Sequence, residues 1–254
     1  MKRIESPQNQ HFKHWKKLHN RKWREKTGEY LLEGPHLIQE AMKKPDIVIS
    51  LIYDEGFRQR ENWMKNNADE FIVDTKLFKE LAQTETPQGI LAVCRVMDEQ
   101  LIVKQGRFLL IDSVQDPGNL GTIIRTADAC GMDGVYLGAG CVDLYNQKVL
   151  RSAQGSHFHL PIIKSDLTEV VNDLKQAGAT VYGSSLQGTT LQNVAHSCEN
   201  FALIIGNEGN GVDEELLSLT DVNVKIPIYG LAESMNVAVA SGILMYSLRT
   251  APLA

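Results

Sequence analysis

The feature that most constrains this chain is a pair of uninterrupted apolar runs, residues 108–111 and 201–205, each followed by small polar residues and glycine. A strand with apolar side chains on both faces has to be covered on both. That is the condition of a parallel sheet flanked by helices. The run at 201–205 leads directly into GNEGNG, residues 206–211, and the run at 108–111 into DSVQDPGNLG. Residues 180–182 repeat the pattern and end in Gly183, Ser184 and Ser185. In an open α/β sheet the loops at the carboxyl ends of the strands are where ligands bind. These loops are therefore the first place to look for a site.

Two helices frame the pattern. After the first run, Leu120, Ile123, Ile124 and Ala127 fall on one helical face, with Asn119 expected as N-cap and Gly131 at the far end. Arg125 projects away from that stripe, beside Gly121, Thr122 and Ala129, small residues that leave room for an approaching group. Near the end of the chain, a strand at 222–226 runs into Pro227 and a polar turn. A helix then starts at Ser234 or Asn236, where Ala238, Ala240, Ser241 and Gly242 allow close approach of another backbone.

The first hundred residues read as a smaller α/β unit. Strands are expected at 30–32, 47–52, 71–73 and 89–93, and helices at 37–42, 57–66 and 77–81. The polar stretch 98–105 ahead of Gly106 marks a boundary, giving domains 1–105 and 106–254. The formal net charge is −5, yet the opening segment holds Lys13, Lys16, Lys17, Arg21, Lys22, Arg24 and Lys26 against few carboxylates, interleaved with His11, Phe12, His14, Trp15, His19 and Trp23. Such a basic, aromatic arm suits a polymer with phosphates and stackable bases. The competing reading is a solvated basic helix with Trp15 and Trp23 packed beneath it.

Other classes of function fall away. No apolar run approaches a membrane span, and the basic N-terminus lacks the apolar core of a signal peptide, so a cytoplasmic protein is expected. Cys94, Cys130, Cys141 and Cys198 are scattered and read as free thiols. His157 and His159 alternate as along a strand with no third ligand nearby, so no metal is expected. Gly-rich segments at 138–140 and 206–211 lack the order of a dinucleotide fingerprint, and no phosphate-binding G-x-x-x-x-G-K-[ST] loop is present.

Three segments stand in order: Asn119 with GTIIRTADA, containing Arg125; IIGNEGNG, containing Glu208; and IPIYGLAESMNVAVA, containing Ser234 and Asn236. Together they resemble the three motifs of the SpoU (TrmH-like) family of RNA ribose 2′-O-methyltransferases. Cys130 stands where an aromatic residue is usual and Met235 where leucine is usual; both are apolar exchanges. The N-terminal unit is similar to the ribosomal-protein-like RNA-binding domain of many members.

The resemblance implies a C-terminal parallel-sheet domain tied in a trefoil knot. It implies S-adenosylmethionine as cofactor, held by loops that here carry Ser184, Leu186, Gly206, Ile226 and Met235. It also implies a homodimer with the last helix at its interface. Arg125 is the residue it places at the ribose oxygen, with Asn119, Glu208, Ser234 and Asn236 completing the catalytic set. The substrate expected is ribosomal RNA, the alternatives being transfer RNA or a non-catalytic RNA-binding protein on the same fold; all five polar positions are present, which favours an enzyme.

Overall fold

Strands β1 (Lys2–Ile4), β2 (Glu29–Glu33), β3 (Val48–Asp54), β4 (Asp69–Val73) and β5 (Ile90–Arg95) form a mixed sheet in the order β1-β4-β3-β5-β2. Alternate side chains feed an apolar cluster on each face, as the period of two requires. Leu31, Ile52, Phe71, Leu91 and Val93 lie on one face, and Tyr30, Leu32, Leu51, Tyr53, Ile90 and Ala92 on the other. Helices α1 (Gln10–Lys17) and α4 (Thr75–Leu81) cover the first face with Phe12, Trp15, Leu77 and Phe78, and α3 (Pro35–Met42) covers the second with Leu37, Ile38 and Ala41. Between α1 and β2 lies the short helix α2 (Arg21–Thr27).

The computed structural model describes residues 1–57, 68–97, 105–194 and 199–249. Apart from Phe57, the polar helix expected over 57–66 lies outside them. So do Cys198 and, apart from Gln105, the boundary stretch 98–105. By internal packing the chain divides into Met1–Asp98 with Tyr145–Phe158, and Glu99–Leu144 with His159–Ala254.

Two expectations change here. Residues 145–158, expected in the C-terminal domain, pack in the first unit. Leu150 of α6 (Gln147–Ala153) and Phe158 join the cluster of Tyr30 and Leu32, and the Gln147 side chain donates to the Leu31 carbonyl at 2.6 Å. Removal of residues 1–105 would strip that apolar face of its neighbours. The basic segment is also not an arm. β1 pairs with β4, and Phe12, Trp15 and Leu18 are buried. Arg24 is buried as well, its Nη1 donating to the carbonyls of Leu18 and His19 at 2.8 and 2.9 Å.

In the second unit, β6 (Arg107–Ile111), β7 (Gly134–Leu137), β8 (Ile162–Lys164), β9 (Thr180–Thr190), β10 (Phe201–Ile205) and β11 (Val222–Lys225) form a sheet in the order β11-β9-β10-β6-β7-β8. Every pairing in it is parallel. Leu110, Ala202 and Ile204 lie against Val170, Val171 and Leu174 of α7 (Leu167–Gln176). Helix α5 (Pro117–Ala129) packs with α9 (Val237–Leu248); their approach is close enough that a Cβ on Gly242 would lie 3.3 Å from Thr126 Cγ2. The remaining helix, α8 (Glu214–Ser218), joins β10 to β11.

His157 is not on a strand: it is buried in a 3-10 turn, Ser156–Phe158, within the first unit, and His159 Nδ1 lies 2.9 Å from Asp128 Oδ2 in the second. Among the described residues no group of three or more His, Cys, Asp or Glu is arranged to hold a metal, and no helix is long and apolar enough to cross a membrane.

Candidate functional site

Strands β6 and β10 are neighbours, but the chain leaves them in opposite directions: β6 continues through α5 to β7, and β10 through α8 to β11. The loops at their carboxyl ends part there, which makes this the topological switch point of the sheet. Both loops are bonded to each other. Asp112 Oδ2 accepts from the Asp213 amide at 2.9 Å, Asn207 Nδ2 donates to the Ser113 carbonyl at 2.8 Å, and the Glu208 carboxylate accepts from the amides of Gln115 and Asp116 at 3.3 and 3.1 Å.

From Glu208 a line of hydrogen bonds crosses the site. Asn119 Nδ2 donates to Glu208 Oε1 at 3.1 Å, Asn236 Nδ2 donates to Asn119 Oδ1 at 3.0 Å, and Asn236 Oδ1 accepts from the amides of Ala238 and Val239 at 2.9 and 3.3 Å. Each amide is oriented by the next group, because a carboxylate only accepts and an uncapped helix terminus only donates. One residue from each of the three sequence segments is thus locked in place. Burial pushes the Glu208 carboxyl up, but the bonds from the Asn119 side chain, its own backbone and the amides of Asp116 and Gln115 outweigh it and hold the group below its ordinary value.

Helix α5 is capped by Asp116 rather than Asn119: Asp116 Oδ1 accepts from the Asn119 amide at 2.8 Å, with Pro117 in the first turn. Proline suits that position because its missing N–H has no partner there in any case. The shift of three residues is what frees the Asn119 side chain to bond Glu208. Asn236, by contrast, is the N-cap of α9.

Arg125 and Ser234 are outside this line. Both are exposed, and among the described residues neither side chain has a hydrogen-bond or ion-pair partner. Six residues of helix separate Arg125 from Asn119, about 9 Å along the axis. An exposed, unengaged guanidinium is available to an incoming anion.

The residues expected at a cofactor are divided. Ile226 and Met235 line an apolar groove of about 330 Å³ with Leu191, Pro227 and Ile243. That is the lower end of the volumes, roughly 300–1,000 Å³, that hold small ligands. Among the described residues no backbone group from 227 to 234 bonds another backbone group, so these donors and acceptors are left for water or a ligand. An apolar lining with free backbone polar groups fits an adenine ring and its sugar.

Ser184 and Leu186 lie elsewhere, on an excursion of β9. The β9–β11 ladder pairs Gly183 with Asn223 and then Thr189 with Val224, which loops out residues 184–188 and leaves Leu186 68% exposed. The strand expected to stop at Tyr182 therefore resumes beyond the excursion.

Gly206, expected on a cofactor loop, has a steric reason within its own loop for being glycine. A Cβ there would lie 2.1 Å from Gly211 C and Val212 N, because its own loop folds back on it. That loop is closed by reciprocal backbone bonds between Asn207 and Gly211 at 2.8 and 3.0 Å. Asp112, Ser113 and Asn207 escaped the sequence reading. The available signal was their position at strand ends, and Ser113 has φ of 55°, a left-handed conformation that few non-glycine residues adopt.

Residues 106–246 match the SpoU rRNA methylase family, and residues 9–92 the MRM3-like substrate binding domain. The chain is 50% identical over 250 residues to the 23S rRNA (guanosine(2553)-2′-O)-methyltransferase RlmP of Bacillus subtilis, a match that covers 98% of this chain and 100% of that protein. Its fold superposes on an AdoMet-bound rRNA methyltransferase from Sinorhizobium meliloti with a TM-score of 0.88 at 26% identity, covering 97% of each chain. The SpoU methyltransferase AviRb of Streptomyces viridochromogenes, in complex with AdoMet, gives 0.85 at 29% identity, covering 95% of this chain and 97% of that one. A parallel sheet with this switch-point site and these matches defines a methyltransferase whose methyl donor is S-adenosylmethionine. The chain belongs to the SpoU rRNA methylase family.

Proposed function

We propose that the protein methylates the ribose 2′-hydroxyl of a guanosine in large-subunit ribosomal RNA. The observation that carries this reading is the Glu208–Asn119–Asn236 line, which joins all three motif segments at the start of the helix that also carries the exposed Arg125. Identity of 50% along essentially the whole chain to a 23S rRNA 2′-O-methyltransferase supports the choice of RNA.

When bound, S-adenosylmethionine supplies an electrophilic methyl carbon, which the 2′ oxygen takes up as the carbon–sulfur bond breaks and its electron pair stays on sulfur. Ile226 and Met235 would hold the cofactor in the groove. Ser184, Leu186 and Gly206 do not line it, and their expected cofactor role would require the β9 excursion and the 206–211 loop to meet the bound cofactor outside the groove. Arg125 meets the nucleotide. As a base it is a poor choice: removing a proton from a guanidinium at pH 7 spans about six pKa units, or about 8 kcal/mol. Its task is to orient the hydroxyl and to stabilise the negative charge that builds on the oxygen. The proton passes to the neighbouring phosphate or to water. Ser234 contacts phosphate, and Asn119 and Asn236 fix the approach of their loops.

The first unit binds the RNA, and the enzyme works in the cytoplasm, where ribosomal RNA is found. Family membership supports a trefoil knot in the second unit. A homodimer through α9 is supported by Val239, Ile243 and Tyr246, which form one stripe and are 57%, 36% and 66% exposed. Mapping ribose methylation in RNA from cells lacking the protein, with transfer of labelled methyl to purified 23S and transfer RNA in parallel, tests the reading. Loss of a mark only from transfer RNA, or transfer to a base, would overturn it.

A further inference from the structure

We propose that the outer face of α1 and α2 is the RNA-holding surface of the first unit, with Trp23 as the platform for one unpaired base and Lys17 and Lys26 as the flanking phosphate contacts. This rests on the reading of the protein as an RNA methyltransferase.

The structure sorts the basic residues of the opening segment. Lys2 pairs with Asp69 at 3.4 Å, Arg3 with Glu5 and Glu55 at 2.6 and 3.0 Å, Lys16 with Glu80 at 2.5 Å and Arg21 with Glu25 at 2.9 Å, while Arg24 is buried. Lys13, Lys17, Lys22 and Lys26 remain: all are exposed, and among the described residues none has a carboxylate partner. They stand four apart on each helix, so each pair shares a face.

Two of these lysines, from different helices, converge on one ring. Lys17 Nζ lies 4.6 Å and Lys26 Nζ 5.1 Å from the centroid of Trp23. The ring itself is held at its edge: Trp23 Nε1 donates to His14 Nδ1 at 3.4 Å, and His14 Nε2 donates to Glu29 Oε2 at 2.6 Å. The rest of the ring packs against the apolar cluster of Phe12 and Trp15. Trp15, in the same segment, is 2% exposed and has its ring against Phe71, whereas Trp23 keeps part of its surface open.

An ammonium over a half-buried ring at the surface is a weak contact, and each lysine would exchange it for a phosphate. That movement uncovers the ring for a base, and base–aromatic stacking is the stronger interaction. The spacing of phosphates on either side of a stacked base supplies both halves of the arrangement. An acidic protein would satisfy the lysines and leave Trp23 unused.

The test uses the full chain, without cofactor, and a fluorescein-labelled single-stranded RNA 12-mer followed by anisotropy over a range of salt. Trp23→Leu is expected to weaken binding about tenfold. Lys17→Gln with Lys26→Gln should lower the log–log salt slope by about 1.4, at about 0.7 per phosphate contact. Lys16→Gln, a single charge removed one residue from Lys17 but on a lysine engaged by Glu80, should leave the slope unchanged rather than lower it by about 0.7. Trp23→Phe, which keeps a stacking face without the tether, should bind within about threefold of wild type. If Trp23→Leu fails to fold, as a thermal melt would show, the slopes of the lysine variants decide. Equal slopes for the Lys16 variant and the Lys17/Lys26 variant, or wild-type affinity in a folded Trp23→Leu, would overturn this proposal alone. If the wild-type chain binds no RNA, the proposal falls, while transfer of labelled methyl to 23S RNA, measured separately, decides the reading of the protein as an RNA methyltransferase.

Discussion

Replacing Gly206 with alanine puts a methyl group 2.1 Å from Gly211 C and Val212 N and 2.2 Å from Gly211 O, all backbone atoms with no rotamer to turn aside. Ordinary contact needs about 3.4 Å, so one side of the loop has to move by about 1.3 Å. The Asn207–Gly211 bonds of 2.8 and 3.0 Å do not survive a displacement of that size. Losing two such bonds at about 1 kcal/mol each, with residual overpacking of about 1 kcal/mol or more, gives a loss of about 3 kcal/mol. For a domain of this size that is a fall in melting temperature of roughly 6–12 °C.

Gly211 is the internal control: its φ is +76° and a Cβ there meets nothing within 4 Å. Gly211→Ala therefore costs only the left-handed backbone, about 1 kcal/mol or roughly 2–4 °C. Thermal melts of both variants, with cofactor titrated calorimetrically into each, make the comparison. A Gly206→Ala protein that melts with wild type and loses only S-adenosylmethionine binding would refute the steric argument and make the glycine a cofactor contact. A larger loss at Gly211 than at Gly206 would refute it as well.

Arg125→Ala should abolish methyl transfer in single-turnover assays while leaving cofactor affinity and melting temperature intact, and Arg125→Lys should not restore it, since a point charge cannot span hydroxyl and phosphate together. The Glu208 carboxyl lies below its ordinary value, so its ionised form adds stability above the unfolded-state pKa near about 4.3, and this is lost as pH falls through the lower folded value. Melts of Glu208→Gln across that acid range should lack this component and show slowed transfer at neutral pH; parallel pH curves for variant and wild type would exclude it. By light scattering the wild type is expected to have a dimer's mass and Ile243→Glu, in the exposed stripe of α9, a monomer's; a monomeric wild type would refute the proposed dimer, and an unchanged dimeric mass its contact through α9.

Much of the fold was legible because its signals are local. Residues 201–205 announce a strand covered on both faces, and the apolar stripe of Leu120, Ile123, Ile124 and Ala127 announces a helix with one buried side. Short, charged edge elements escaped: β1 holds three residues, two of them basic, and only its pairing with β4 makes it a strand. The true start of α5 at Pro117 turned on whether Asp116 or Asn119 bonded the first free amides, and both residue types are good caps.

The sequence by itself determined the alternation of strand and helix, the glycine at position 206, the arginine on the open side of α5 and the polar residues of three separated segments. Tertiary structure alone decided that Asn119 and Asn236, 117 positions apart, share a hydrogen bond, and that residues 145–158 complete the core of the first unit. It also decided that Gly206 is held by its own loop, and that Lys17 and Lys26 converge on Trp23 while Lys16 is taken up by Glu80. The physical reason is one of range. Backbone conformation and amphipathic period are properties of a few neighbouring residues, whereas a hydrogen-bond partner, a steric limit or a free charge is defined only when distant parts of the chain have been brought within about 3–5 Å of one another.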